Sequence, residues 1–120
     1  MKKRIYYNHT DAGGIVYHAN YITFCEQARS EIFFKHNIFF EDEGYVVKSL
    51  TSNFIKPAKL GDIIEIKTYI KEIKKTSLII YQEILKKDVI YTQESLLVYI
   101  KNEKISKIPQ EHLKILHEYL

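Results

Sequence analysis

The sequence is poor in the residues that cross-link or interrupt a chain. Its 120 residues include one cysteine, Cys25, no tryptophan, two prolines and four glycines. A single cysteine excludes an intrachain disulfide, so the fold must depend on a hydrophobic core. The chain contains no internal repeat, low-complexity segment or linker, and hydrophobic residues make up 46% of it. This length and composition predict one globular domain over residues 1–120.

Long hydrophobic runs and a strong charge imbalance are also missing. No stretch approaches the roughly 20 apolar residues of a membrane span. The basic start, MKKRIYYNHTD, lacks the apolar region of a secretory signal. The net charge of +3 comes with no nucleic-acid-binding motif, so we expect no nucleic-acid partner. We therefore expect a cytoplasmic protein without a membrane span.

The residue pattern predicts one long helix followed by a sheet. From Asn20, a plausible N-cap, apolar residues recur at helical spacing as far as a stop at Asn37; the predicted buried face is Tyr21, Phe24, Cys25, Ala28 and Ile32. Strand-forming segments occupy Arg4–Tyr7, Tyr45–Ile55, Ile63–Ile73, Ser77–Leu85 and Val89–Ile100. A short helix follows Pro109. The sequence thus predicts an α+β fold with an antiparallel sheet packed on one long helix.

The segment DAGGIVYHANY, residues 11–21, brings together groups that suit acyl transfer. Asp11 is a carboxylate in a loop, and His18 lies seven residues later at the predicted helix start. Backbone N–H groups at a helix start are unpaired and can hold an oxyanion. Gly13 and Gly14 would let the backbone approach a ligand. A simpler alternative is open, because an Asp in such a loop often shapes a turn and a His before a helix often packs or caps.

Residues 6–31, YYNHTDAGGIVYHANYITFCEQARSE, resemble the signature of the hotdog-fold acyl-CoA thioesterases. The match is closest to the bacterial Tol-Pal-associated (YbgC) type, which is related to 4-hydroxybenzoyl-CoA thioesterase. The resemblance continues through FIKPAKLGD and EIKKTSL. It implies a hotdog fold, with the sheet wrapped around the long helix, and a homodimer or homotetramer formed by joining sheets edge to edge.

The resemblance also implies roles for individual residues. Asp11 would be the nucleophile or general base, and Tyr7 and His18 would assist it. The backbone amides around Tyr17 and His18 would form the oxyanion hole. The chain departs from the family after Tyr7, where Asn8 and His9 replace two acidic residues. This change removes negative charge close to Asp11.

The resemblance assigns binding residues as well. Lys74, Lys75 and Ser77, in the turn before the fourth strand, would contact the phosphates of CoA. Lys56 and Lys59 are a weaker second candidate for that contact. Supporting positions in the motif are Gly13, Gly14 and Glu31. The predicted activity is hydrolysis of acyl-CoA, with acyl carrier protein thioesters as a further candidate, and no cofactor or metal is implied.

Other chemistries fit the residues less well. His112 and His117 lie five apart, which places them on different helix faces and not at metal-binding spacing. Cys25 is expected to be a buried structural thiol, because no basic neighbour is evident to activate it. A non-catalytic acyl-binding or scaffold protein on the same fold is the main alternative. A hydratase acting on enoyl-CoA is a third candidate, although its motif differs.

Overall fold

A computed structural model describes all residues 1–120 and contains one six-stranded antiparallel sheet curled around a central helix. The strands are β1 (Lys2–Arg4), β2 (Glu43–Phe54), β3 (Ile63–Ile73), β4 (Ser77–Lys86), β5 (Asp88–Lys101) and β6 (Lys104–Ile105). The helices are α1 (His18–Phe34) and α2 (Gln110–Leu116), and 3-10 turns cover Tyr7–His9 and His117–Tyr119. The predicted α+β class and long central helix are confirmed.

Helix α1 buries the face that its spacing predicts, since all five residues named above are buried. The helix begins two residues before the predicted N-cap. Its N-cap is Tyr17, and Asn20 lies inside the first turn, where its side chain bonds the carbonyl of His9 at 2.8 Å. The predicted stop is sound, because Asn37 adopts a left-handed φ of 58° just beyond the helix end. Asn tolerates this conformation better than most residues.

The strand order across the sheet is β1-β3-β4-β5-β2, with β6 paired to the end of β5. All pairings are antiparallel. Strand β3 has the predicted bounds, and the other long strands differ from prediction by one or two residues at an end. Strand β2 is twelve residues long and pairs only on one side, so its other edge is free. A long free edge is a template for pairing with another chain.

The predicted first strand, Arg4–Tyr7, is wrong. Pairing with β3 covers only Lys2–Arg4. Ile5 is buried, and the chain then turns through the 3-10 segment Tyr7–His9. The turn redirects the backbone toward α1, so the segment after the strand carries the loop that contains Asp11.

The core has two apolar clusters along α1. One lies under the start of the helix and includes Tyr21, Phe24 and Tyr91; the other lies under its end and includes Phe33 and Tyr99. Two buried amides between them are hydrogen-bonded: Gln82 Nε2 donates to the Cys25 carbonyl at 2.9 Å, and Gln93 Oε1 accepts from the Tyr91 hydroxyl at 2.8 Å. The two apolar clusters and the hydrogen bonds of Gln82 and Gln93 fix the position of α1 over the sheet.

The predicted C-terminal helix is present and closes the far end of the core. His112 of α2 is buried against Phe33, and its Nδ1 lies 2.9 Å from the Tyr45 hydroxyl. This histidine therefore has a packing role. Neither α1 nor α2 is long and apolar enough to cross a membrane.

Candidate active site

The carboxylate of Asp11 lies in a tight, exposed loop. Its Oδ1 accepts the Gly13 N–H at 2.8 Å, its own N–H donates to the Ile15 carbonyl at 2.9 Å, and its carbonyl accepts the Gly14 N–H at 3.1 Å. Gly14 has a φ of 80°, and a Cβ at Gly13 would stand 3.2 Å from Asp11 Oδ1. The backbone conformation of Gly14 favours glycine, and a side chain at Gly13 would crowd the Asp11 carboxylate. The turn holds one carboxylate oxygen and leaves Oδ2 without a hydrogen-bond partner.

The start of α1 offers two free backbone donors. The Tyr17 N–H donates to the His9 carbonyl at 2.9 Å, so this predicted oxyanion-hole amide is already engaged. No backbone carbonyl accepts the N–H of His18 or of Ala19. The backbone N–H groups without a partner at this helix start are therefore those of His18 and Ala19.

The ring of His18 lines an apolar cavity of about 290 Å³ beside the helix start. Phe54 of β2 packs edge-on against this ring, with centroids 6.2 Å apart. The Tyr21 hydroxyl accepts the Ala58 N–H at 3.0 Å, which fixes another wall. The full lining is Ile15, Val16, His18, Tyr21, Phe54, Ile55, Lys56 and Pro57. Sequence analysis did not single out Phe54, because a strand-end phenylalanine carries no motif of its own.

Two predicted residues, Tyr7 and Glu31, make no side-chain hydrogen bond with Asp11 within one chain. Tyr7 is 81% exposed, and its hydroxyl makes no hydrogen bond. Glu31 lies thirteen residues along α1 from His18, which corresponds to about 20 Å at 1.5 Å per residue. Its side chain is exposed and makes no hydrogen bond.

The lysines predicted to bind CoA lie at the opposite end of the sheet from Asp11. Ile15 bridges Lys59, close to the start of β3, whereas Lys74 and Lys75 follow the end of that strand. The ten steps between the first and last of the eleven residues of β3 span roughly 33 Å at about 3.3 Å per step. Within one chain, Lys74 and Lys75 are therefore too far from Asp11 to contact the same ligand group. Lys56 lines the cavity beside His18, so the weaker candidate is the nearer one.

Ser77 shapes the turn that carries the two lysines. Its carbonyl accepts the Lys74 N–H at 2.8 Å, and the Lys75 carbonyl accepts the Ile108 N–H at 3.0 Å. Both lysine side chains are exposed, and the only ion pair among them, Lys74 with Glu72, is long at 3.9 Å. An exposed pair of this length holds its cation weakly. The two ammonium groups are thus available to an anionic ligand.

Cys25 is fully buried on α1, and burial raises the pKa of its thiol to about 12. A protonated, inaccessible thiol is a poor nucleophile.

We expect the Cys25 thiol of the folded chain to show no reaction with an aromatic disulfide reagent near pH 8, and one thiol per chain to react after denaturation. Absorbance of the released thiolate measures both values, and a thiol that reacts at once in the folded chain would contradict the prediction.

No group of three or more His, Cys, Asp and Glu side chains is placed to hold a metal ion. The site brings together a carboxylate, free backbone amides and an apolar cavity. Such a set suits attack on an acyl carbon whose oxygen becomes an anion.

Comparison with known proteins decides the family. The sequence profile of the thioesterase superfamily matches residues 13–91. The chain belongs to the thioesterase superfamily. The match covers the Gly13-Gly14 loop, α1 and the sheet as far as β5, so the resemblance seen in the sequence is confirmed.

Individual superfamily members agree with this placement. The acyl-CoA thioesterase YbgC of Helicobacter pylori is 49% identical over 86 residues, which are 70% of this chain and 65% of that protein. The chain thus spans just under two thirds of the relative it matches. The YbgC of Haemophilus influenzae is 33% identical over 79% of this chain and 74% of its own length.

Solved structures of superfamily members and similar proteins share the fold. A probable thioesterase from Bartonella henselae has a TM-score of 0.81 and 32% identity, and covers 91% of this chain and 96% of its own. A protein from Aquifex aeolicus described only as hypothetical has a TM-score of 0.90 and 25% identity, with 97% of each chain covered. The hotdog-type architecture predicted from the sequence is confirmed.

Proposed function

We propose that this chain hydrolyses acyl-CoA thioesters to a free acid and CoA. The observation that carries the proposal is the placement of the Asp11 carboxylate on a rigid turn that leads directly to the free amides of His18 and Ala19. Membership of the thioesterase superfamily supports it. Acyl-CoA is a cytoplasmic metabolite, so the proposal places the protein in the cytoplasm.

In the proposed reaction, Asp11 either attacks the thioester carbonyl or removes a proton from an attacking water. The carbonyl oxygen becomes an anion and is held by the N–H groups of His18 and Ala19. The C–S bond then breaks and CoA leaves as a thiolate, which takes up a proton. Water completes the hydrolysis of an acyl-Asp11 anhydride, if that intermediate forms. Both routes consume one water and yield acid and thiol.

The acyl group is proposed to lie in the groove between α1 and β2. The two elements run in opposite directions, because Phe54 contacts His18 at one end and Tyr45 stacks on Phe33 at the other. A second cavity of about 210 Å³ occupies the far end. It is lined by Glu26, Arg29, Ser30, Phe33, Phe40, Gly44, Tyr45, Leu78, Ile80 and Leu97. Mostly apolar walls suit a hydrocarbon or aromatic acyl group.

A homodimer is part of the proposal. The free edge of β2 carries exposed apolar side chains, namely Val46, Val47 and Phe54. Pairing of this edge with its copy would cover them and would extend the sheet. It would also bring a second chain to the groove, so that Lys74, Lys75 and Glu31 of one chain serve Asp11 of the other.

A panel of acyl-CoAs with short, long and aromatic acyl groups tests the proposal. We expect thiol release from at least one class, detected with an aromatic disulfide reagent, and a free acid in equal amount by mass spectrometry. Folded protein that binds acyl-CoA tightly and releases no thiol would favour the acyl-binding alternative. Hydration of crotonyl-CoA without thiol release would favour a hydratase.

A further inference from the structure

His9 connects the loop that carries Asp11 to the start of α1. Its ring Nδ1 accepts the Tyr6 N–H at 2.9 Å. Its carbonyl accepts both the Tyr17 N–H at 2.9 Å and the Asn20 side-chain N–H at 2.8 Å. The ring also packs edge-on against Phe24 of α1, with centroids 5.1 Å apart. One residue therefore contacts the segment before the loop and the helix after it.

These contacts fix both ends of the loop. The bond from the Tyr6 N–H closes the 3-10 turn Tyr7–His9, because the side chain at the third position of the turn reaches back to the capping residue. The loop that contains Asp11 leaves this turn at Thr10. The bonds to the His9 carbonyl hold Tyr17 and Asn20, which flank the free amides of His18 and Ala19. A shift of His9 would therefore move the carboxylate relative to the oxyanion donors.

The contact to Tyr6 exists only for the neutral imidazole. Nδ1 must carry a lone pair to accept the N–H, so the ring proton lies on Nε2. A protonated ring would point a second donor at the Tyr6 N–H. The neighbouring groups do not stabilise a cation here. Lys3 of β1 lies over the Phe24 ring at 5.3 Å, the ring of Tyr6 is 6.2 Å away, and the α1 residues in contact with His9, Phe24 and Asn20, are uncharged.

We propose that His9 is a positioning residue which, in its neutral form, holds the Asp11 loop against the start of α1, and whose protonation releases that loop. The proposal rests on the hydrolase function proposed above. Burial and the nearby Lys3 both lower the pKa of His9 from its ordinary value of 6.5. The ring is then neutral at pH 7, and the contact is lost only as the pH falls below about 6.5.

Substitution of His9 separates the effect of its hydrogen bond with the Tyr6 N–H from the effect of ring protonation. In His9→Asn the amide oxygen can accept the same N–H and cannot titrate, whereas His9→Ala removes the acceptor. His36→Asn is the matched control, because His36 is exposed at the end of α1. We expect acidification below about pH 6.5 to lower the kcat of the wild type and of His36→Asn more than that of His9→Asn.

The alanine variant tests the positioning role at neutral pH. We expect His9→Ala to lower kcat about ten- to a hundredfold with little change in KM, because misplacement of a catalytic group slows the chemical step. His9→Gln is the second acceptor variant if His9→Asn does not fold. An acid limb that is the same in the acceptor variants and in the wild type would overturn the proposal, as would an unchanged kcat in His9→Ala.

Amide hydrogen exchange gives a readout without substrate. We expect the Tyr6 and Tyr17 amides of the wild type to lose protection, relative to intrinsic exchange rates, as His9 is protonated, and those of His9→Asn to stay protected. Identical pH dependence in both proteins would count against a role for His9. If the wild type hydrolyses no acyl-CoA at any pH, the hydrolase function fails, and the exchange measurement still decides whether His9 holds the loop.

Discussion

Asp11→Asn is expected to lower kcat for acyl-CoA hydrolysis by about 100- to 10,000-fold, which is the usual contribution of a well-placed general base. The amide keeps an oxygen that can accept the Gly13 N–H, so the turn that Asp11 Oδ1 stabilises at 2.8 Å is retained. The negative charge and the free Oδ2 are lost. Release of thiol in a single turnover with saturating substrate measures the effect, because it separates the chemical step from binding and product release.

A matched control separates charge from chemistry. Asp42 is exposed just before β2 and its carboxylate makes no hydrogen bond. Asp42→Asn therefore removes the same charge at a position outside the candidate site. We expect wild-type kcat from this variant, and unchanged thermal unfolding from both. If Asp11→Asn kept kcat within about threefold of the wild type, Asp11 would be a turn-forming residue and the catalytic assignment would be wrong.

A chain with both Lys74→Ala and Lys75→Ala is expected to raise KM for acyl-CoA by about ten- to a hundredfold, since each ammonium–phosphate contact is charge-assisted. The fold should not suffer, because both side chains are exposed and the Lys75 carbonyl still accepts the Ile108 N–H. Lys74 and Lys75 are separated from the Asp11 loop by the length of β3, roughly 33 Å at about 3.3 Å per residue. The lysines that serve Asp11 should therefore belong to the second copy.

Mixing the two defective chains tests that assignment. A heterodimer of Asp11→Asn with the double lysine variant has one site that combines Asp11 with intact lysines, if the site is shared. Random refolding of equal amounts makes half of the dimers mixed, and each mixed dimer has one intact site of two. We therefore expect about a quarter of wild-type activity at substrate concentrations below KM. A mixture no more active than the mean of its two components would show that each chain supplies its own lysines, or none.

The sheet and the central helix were accessible from the sequence because they depend on periodicity. The alternation in β3 and the helical spacing of Tyr21, Phe24 and Cys25 each encode one buried face. The N-cap of α1 was misplaced by three residues, since the first turn is set by the carbonyl of His9 and not by a local cap. No pattern of neighbouring residues contains that contact.

The site was predictable in part for the same reason. Asp11 and the two glycines form a local turn, and local turns follow from residue type. The hydrogen bond that engages the Tyr17 N–H and the cavity wall formed by Phe54 both depend on segments that meet only after folding. The distance between Asp11 and Lys74 could have been inferred, because it follows from the length of β3 and the position of each group at one of its ends.

The burial of Cys25 has a redox consequence for an enzyme of this kind. Hydrolysis of acyl-CoA releases a thiol, and CoA that becomes oxidised exchanges with accessible protein thiolates to form mixed disulfides. The only sulfhydryl of this chain is covered by the core and is held protonated by burial, with its pKa raised to about 12. In the proposed hydrolysis, the released CoA would find no accessible thiol on this chain, so oxidised CoA should not inactivate the protein through a mixed disulfide.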